Sequence, residues 1–448
     1  MSEPLAPLTD ALLDAASRAG AEAADAIAID GTSLSVGVRA GALEQAERSE
    51  GIELGLRVMV GARQACVSAS DARPETLHEM AGRAVAMARR APEDPTIGLA
   101  EPSQLSPLRD GRALDMSDPA PDLDPAALED AARRAEAAAL AIDGVSQVQS
   151  ASAGFSRRRV QLAATNGFSG GYARSDHGLG CVAITGAGLG MERDYFGDGR
   201  NHAADLMSPE EIGRIAGERT VARAGARRPK TGAYPVLFDE RIASGLIGHL
   251  LSATNGSAIV RGASWARDLL GEAVLPRGLS LVEDPHRPRT SASRPFDAEG
   301  LPTARRVIVE DGVLTGWTLD LSTARKLGLA STANASRGAS SPPSPSVGNV
   351  ALTQGATDRA GLMAEMGTGL LVTSMIGASI NPNTGDYSRG ASGFWVENGE
   401  IAYPVNECTV AGNLREMLGT IRPANDARAH LSRVVPSLLV EGLTLAGA

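Results

Sequence analysis

Six histidines, His78, His177, His202, His249, His286 and His430, are the side chains best suited to metal or acid–base chemistry in this sequence, and their spacing argues against a local metal site. A local zinc site needs two histidines on one helix face with a carboxylate beside them. No two histidines here fall within a turn or two of each other. His78-Glu79 begins such a pattern, but Gly82 and Arg83 stand where the second histidine would be, so the pair reads as the solvent side of an amphipathic helix. His249 is flanked by Leu246, Leu250 and Leu251, the setting of a partly buried histidine satisfied by a backbone partner. Cys66, Cys181 and Cys408 are far apart and odd in number, which disfavours a disulfide framework or a cysteine-based zinc site. They are expected to be ordinary buried thiols.

Two other groupings invite a chemical reading. Gly186-Ala187-Gly188-Leu189-Gly190 follows an apolar strand in the manner of a phosphate-binding loop, yet lacks the Lys-Ser/Thr ending and the following amphipathic helix. A glycine-bulged hairpin or strand crossing fits it better. Asp297 and Glu299 could form an acid/base pair, and fit equally well as residues fixing a turn before Pro302. No Gly-x-Ser-x-Gly elbow occurs, and the separated cysteines and histidines give no nucleophile assignment. These residues yield no catalytic, cofactor-binding or metal-ligating assignment in this chain.

The elements around them follow from periodicity and capping. Thr9 is expected to cap a helix over residues 10–19 that stops at Gly20, and alternating segments near 24–29, 33–39, 52–60 and 63–69 read as antiparallel strands joined by Gly-containing turns. Pro74 and Pro125 open two helices with apolar stripes. Strand-like alternation fills 145–197, and Ser208-Pro209-Glu210-Glu211 starts a helix to about Ala224. A strand at Tyr234–Phe238 and a helix from Glu240 to Ala253 precede a mostly strand-like remainder. Asp311-Gly312 and Asn398-Gly399 sit between apolar runs as turns, and Asn-Gly supplies the positive φ angles of a type I′ hairpin. Residues 329–350, rich in Ser and Pro, read as a long loop, either facing a partner or substrate or merely connecting across the surface. The class is α+β. The polar, Pro/Gly-bearing stretch 225–232 divides an N-terminal domain, 1–225, of antiparallel sheet with helices from a sheet-dominated C-terminal domain, 233–448.

Composition narrows the partners. A 448-residue chain that is 43% hydrophobic can build a substantial core, although aromatics make up only 3%. Of its 43 basic residues only Lys230 and Lys326 are lysine, and the one arginine block is Arg157-Arg158-Arg159. With a net charge of −10, a nucleic-acid partner is not expected. Met1-Ser2-Glu3-Pro4-Leu5 has neither a basic start nor an apolar segment, and no run of 18 apolar residues occurs, so a cytoplasmic protein without membrane contact is expected.

Several dispersed motifs, in order, resemble one known family. Phe296-Asp297-Ala298-Glu299-Gly300-Leu301-Pro302, Arg306–Leu314 and Leu319–Gly328 are similar to the core signature of the TldD/PmbA proteins, cytoplasmic metalloprotease subunits. Arg261-Gly262-Ala263-Ser264-Trp265, Thr384-Gly385-Asp386-Tyr387-Ser388, Ser392–Ile401 and Thr409–Leu414 resemble its PmbA branch, also called TldE. In the TldD branch a helix carries His-Glu-x-x-x-His and a cysteine near the C-terminus completes a zinc site. Counting back from Arg261-Gly262, those donors would fall near Ile247, Gly248 and Ser252, and Asp426–Leu431 has no cysteine; Cys408 lies too early to replace it. Zinc lowers the pKa of bound water from about 15.7 to about 7, and nothing else here supplies that activation. The resemblance therefore implies a non-catalytic subunit without a cofactor of its own. Its partner would be a TldD-type zinc peptidase, with zinc held by that partner and extended or unfolded peptides as substrates, bound by β-addition at edge strands. The alternative is a free-standing peptide-binding or regulatory homodimer.

Overall fold

Among the described residues, four α-helices and one long sheet shape the N-terminal half. The computed structural model describes residues 4–120 and 122–447; Met1–Glu3, part of the stretch read for a leader, lie outside the described residues. The first elements are α1 (Ala6–Ala19), β1 (Ala23–Arg39), β2 (Ala42–Val60), β3 (Arg63–Ala69) and α2 (Pro74–Ala88). They are followed by α3 (Pro125–Leu140), β4 (Val145–Ala164), β5 (Ser169–Thr185), β6 (Glu192–Arg200) and α4 (Pro209–Val221). The six strands form one antiparallel sheet in the order β3-β2-β1-β4-β5-β6.

Two local expectations need correction. Helix α1 starts at Ala6, not Asp10, because Pro7 suits a first turn; Thr9 is a buried helical residue whose hydroxyl donates to Ala6 O at 2.9 Å. The segments near 24–29 and 33–39 are one strand. Gly31 does not turn the chain, since it pairs with Gly51 on one side and Arg158 on the other, and both ladders continue through it. The other capping signals work as read: Asp124 and Ser208 accept the N–H groups of Ala126 and Glu211, and Gly20 ends α1 at φ +96°. Between β5 and β6 the glycine run is a hairpin connection.

Period-two alternation gives this sheet two different faces. Ala24, Ala26 and Ala28 of β1 pack with Leu54, Leu56 and Val58 against α1 and α2. Leu34, Val36 and Val38 pack with residues of β4 and β5 against α3 and α4. The alternate residues Asp25, Ile27 and Ile29 face away from the helices, in register with Arg57 of β2 and with Leu162 and Val160 of β4.

The C-terminal half meets that second face. It comprises β7 (Gly232–Phe238), α5 (Glu240–Ala253), α6 (Gly256–Val260), β8 (Leu281–Glu283), β9 (Arg306–Glu310), β10 (Val313–Leu314) and α7 (Leu321–Leu327). Then come β11 (Ala335–Ser336), β12 (Ser344–Pro345), β13 (Val350–Leu352), α8 (Arg359–Met366), β14 (Gly369–Ile380) and β15 (Asp386–Glu397). The chain finishes with β16 (Glu400–Asn413), α9 (Leu414–Gly419), β17 (Arg422–Pro423), β18 (Arg433–Val434) and β19 (Leu438–Ala446). One sheet runs β16-β15-β14-β7-β19-β17, and an additional β16–β19 pairing closes a ring of strands; a second runs β10-β9-β8-β13-β18. The core between them draws on α5 and on Trp265, Trp317 and Trp395. Asn398-Gly399 has the expected geometry, with φ of +53° and +81°, and Asp311-Gly312 turns in the same way at +48° and +85°. The fold is α+β. Among the described residues no helix is long and apolar enough to cross a membrane.

Residues 329–350 are more than a surface connection. They carry the β11–β12 hairpin, whose tip lies on the N-terminal sheet, with Ala339 against Gly55 so closely that a Cβ on the glycine would overlap the Ala339 carbonyl. Arg337 Nη1 donates to Asp25 Oδ1, and Arg57 Nε donates to Asp25 Oδ2 at 2.7 Å. The Arg337, Asp25 and Arg57 side chains are 0%, 4% and 4% exposed. Burial works to raise the Asp25 pKa, and the two guanidinium groups outweigh it, holding the carboxyl below its ordinary value.

Candidate functional site

Helix α5 is where the resemblance would put metal ligands, and each position has another task. Asp239 caps the helix by accepting from Arg241 N at 3.1 Å, and Leu246, Leu250 and Leu251 face the core. Ile247 is buried with them. Gly248 is approached by Arg433, whose Nη1 would lie 3.0 Å from a Cβ there, and Ser252 Oγ donates to Gly248 O at 2.8 Å. A hydrocarbon, a missing side chain and an engaged hydroxyl do not fit zinc, which takes thiolate, imidazole or carboxylate. Among the described residues no group of three or more His, Cys, Asp or Glu side chains is placed to hold a metal ion.

The remaining candidates are dispersed. His249 differs from expectation: its Nε2 is buried with no hydrogen-bond partner, and the ring stands edge-on to Tyr387 at 5.8 Å. An aromatic neighbour thus stands where a backbone partner was expected. His78 is exposed on α2 with Nδ1 2.7 Å from Pro74 O. His177 and His202 are buried near Asp118, at 3.3 and 3.9 Å, and His430 lies 3.4 Å from Asp198. All three cysteines are free; Cys408 donates to Ala391 O at 3.3 Å, and burial pushes its pKa up to about 11.

Asp297 and Glu299 are brought together, and their contacts are those of turn anchors. Asp297 Oδ1 accepts from Glu299 N at 2.9 Å and Leu301 N at 3.0 Å, while Oδ2 accepts from Ala335 N at 3.0 Å. Glu299 Oε2 accepts from Leu321 N at 2.9 Å, at the start of α7. Burial raises both carboxyls, Asp297 to about 6 and Glu299 well above its ordinary value, with the Asp297 charge adding to the effect of burial on Glu299. The signature thus ties the turn, the β11 strand and α7 into one unit.

That unit roofs a cavity of about 340 Å³ over the second face of the N-terminal sheet. Its floor includes Ile27, Ile29, Val160, Leu162 and Tyr172, and its roof comes from the segments around Arg294, Ala335 and Val347. Phe296 reaches down to pack edge-on against Phe168 at 4.9 Å and Tyr172 at 5.8 Å. Arg158, Arg174, Arg294 and Arg337 also line it. The sequence held a signal for one of these. In a strand, Arg158 must point opposite to Arg157 and Arg159; those two reach Asp122 and Asp30, leaving Arg158 on the cavity face.

Three family models divide the chain among them: the PmbA/TldA metallopeptidase domain 1 over residues 24–88, the central domain over 118–224 and the C-terminal domain over 231–447. The metalloprotease PmbA of Escherichia coli is 36% identical over 417 residues, covering 93% of this chain and 90% of that one. The chain belongs to the PmbA/TldD family. A PmbA homologue of Haemophilus influenzae is 35% identical, covering 97% of this chain and 94% of its own. Among solved structures, a Bacteroides thetaiotaomicron protein described as a candidate modulator of DNA gyrase superposes with a TM-score of 0.91 at 27% identity, covering 99% and 98% of the two chains. TldE of Thermococcus kodakarensis gives 0.86 at 20% identity over 98% of this chain and 100% of that one, a likeness of fold.

Proposed function

We propose that this PmbA/TldD-family chain is the metal-free subunit of a heteromeric peptidase and pairs with a TldD-type zinc subunit that acts on extended or unfolded peptides. The observation that carries this reading is the donor set on α5: Ile247 in the core, Gly248 without a side chain and Ser252 bonded to its own helix. The proposed division of labour gives zinc and the activated water to the partner. This chain contributes a rigid wall and peptide-binding surface, in the cytoplasm.

The test is to purify the chain alone and with a His-Glu-x-x-x-His relative from the same genome. Zinc is measured by mass spectrometry, assembly by size exclusion, and cleavage with an unfolded peptide. Expected are substoichiometric zinc in the isolated chain, a mixed complex, and peptidase activity in that complex alone. Stoichiometric zinc with chelator-sensitive turnover by the isolated chain overturns the proposal. A stable homodimer that ignores the zinc subunit would instead favour a free-standing peptide-binding or regulatory protein.

A further inference from the structure

The cavity between the N-terminal sheet and its roof contains an electrostatic conflict. Arg158 of β4 is directly opposite Arg174 of β5 in the strand register, and both side chains line the cavity. Like charges directly opposite on a sheet destabilise it. Arg294 enters from the roof as a third cation.

Neighbouring carboxylates do not resolve the conflict. Asp176 is 4.0 Å from Arg158, at the limit of an ion pair. Among the described residues Arg174 has no ion pair; its Nη2 donates to Ser293 O and its buried Nε has no partner. Arg294 uses Nη1 and Nη2 on the carbonyls of Ala335 at 3.2 Å and Ser346 at 2.8 Å, and its buried Nε is also unpartnered. Glu283, 3.9 Å from Arg294, is already engaged by Arg306 at 2.6 Å, by Asn334 and by Gly348 N. Arg337 is committed to Asp25, and the Asp297 oxygens to three backbone N–H groups. In a chain of net charge −10, this leaves a local excess of positive charge over an apolar floor.

We propose that this cavity binds the C-terminal carboxylate of a peptide, with the carboxylate held among Arg158, Arg174 and Arg294 and the last side chain, an apolar one, resting on Ile27, Ile29 and Leu162. Guanidinium groups match a carboxylate geometrically and by charge. The volume lies at the small end of ligand pockets, which suits a chain terminus and not a long segment. Exposed Ser291 and the 56%-exposed Arg158 side chain mark the mouth through which the rest of the peptide leaves. Free phosphate shares the anionic chemistry but would leave the hydrocarbon floor unused. The inference deepens the peptide-handling reading above without requiring the zinc partner.

The probe is an N-terminally fluorescein-labelled unstructured decapeptide ending in Ala-Leu, made as the free acid and as the C-terminal amide, with anisotropy read on the full-length chain. The free acid should bind about ten-fold or more tightly than the amide, the value of one hydrogen bond to a charged group. Arg174→Gln and Arg294→Gln should each weaken the acid and erase its advantage; Arg277→Gln, at an exposed site elsewhere, should not. Circular dichroism and thermal melts verify that each variant is folded, and the acid–amide comparison on the unaltered chain needs no variant. Equal affinities for acid and amide overturn the inference, as does saturable binding of inorganic phosphate that leaves acid-peptide binding undiminished. A preference for the acid in a chain that forms no complex with the zinc subunit would uphold the cavity assignment while refuting the heteromer.

Discussion

Asp25→Asn should be among the most damaging isosteric changes available in this protein. It keeps the side-chain volume and removes the charge shared by Arg57 and Arg337, whose side chains are 4% and 0% exposed. Removing one member of a buried ion pair leaves the others charged and desolvated, at a cost of about 3–5 kcal/mol. At about 2–4 °C per kcal/mol for a unit of 150–250 residues, the melting temperature should fall by about 6–20 °C. The loss should be specific to one junction, because Arg337 and Ala339 hold the 335–345 segment to the sheet. Limited proteolysis should therefore cut near Arg337 well before the protein unfolds. The Asp25 carboxyl is held below its ordinary pKa, so its stabilisation is complete above the unfolded value of about 3.9 and fades as pH falls through the folded one. The gap between wild type and variant should thus stay constant from pH 8 to about pH 5 and close only in stronger acid. Urea titrations across that range test it. A gap below about 1 kcal/mol at pH 7, or one that closes between pH 8 and 5, would refute the claim that this carboxylate clamps the two halves.

Asp297→Asn should cost about 1–3 kcal/mol in urea unfolding at pH 7, because an amide nitrogen cannot accept from the N–H groups that Asp297 serves. Glu299→Gln keeps an acceptor for Leu321 N and should change stability by less than about 1 kcal/mol at pH 5. Its wild-type pKa is raised by burial, so wild-type stability falls as pH rises from the unfolded value toward the folded one, and that slope should be absent in the variant. His249→Phe should be neutral or stabilising by up to about 1 kcal/mol at pH 7, since it removes a buried unpartnered nitrogen and keeps a ring against Tyr387. Burial lowers the His249 pKa, so wild type loses stability as pH falls below about 6.5 and the variant should lose less; thermal melts at pH 5 and 7 measure both effects.

What the sequence settled was local. Pro at the first turn of α2, α3 and α4, the caps at Asp124 and Ser208, and the Asp311-Gly312 and Asn398-Gly399 hairpins involve groups a few residues apart, so nearest-neighbour chemistry decides them. Gly31 misleads for the same reason: as a local signal glycine suggests a turn, and only the strands on both sides keep it extended. The poverty of donors at Ile247, Gly248 and Ser252 is likewise plain from residue identity, although their engagements with the core, Arg433 and the helix backbone are not.

Tertiary structure decided where charge is compensated. Asp25 and Arg337 are 312 positions apart, and a buried ion pair between them depends on the 335–345 segment folding back over the first sheet. The Arg157-Arg158-Arg159 block discloses through alternation that its middle residue faces the other way, but not that Arg174 stands opposite or that Arg294 descends from above. A side chain's type fixes its charge wherever it lies; the energy of that charge depends on burial and on partners brought from distant sequence, which only the folded chain specifies.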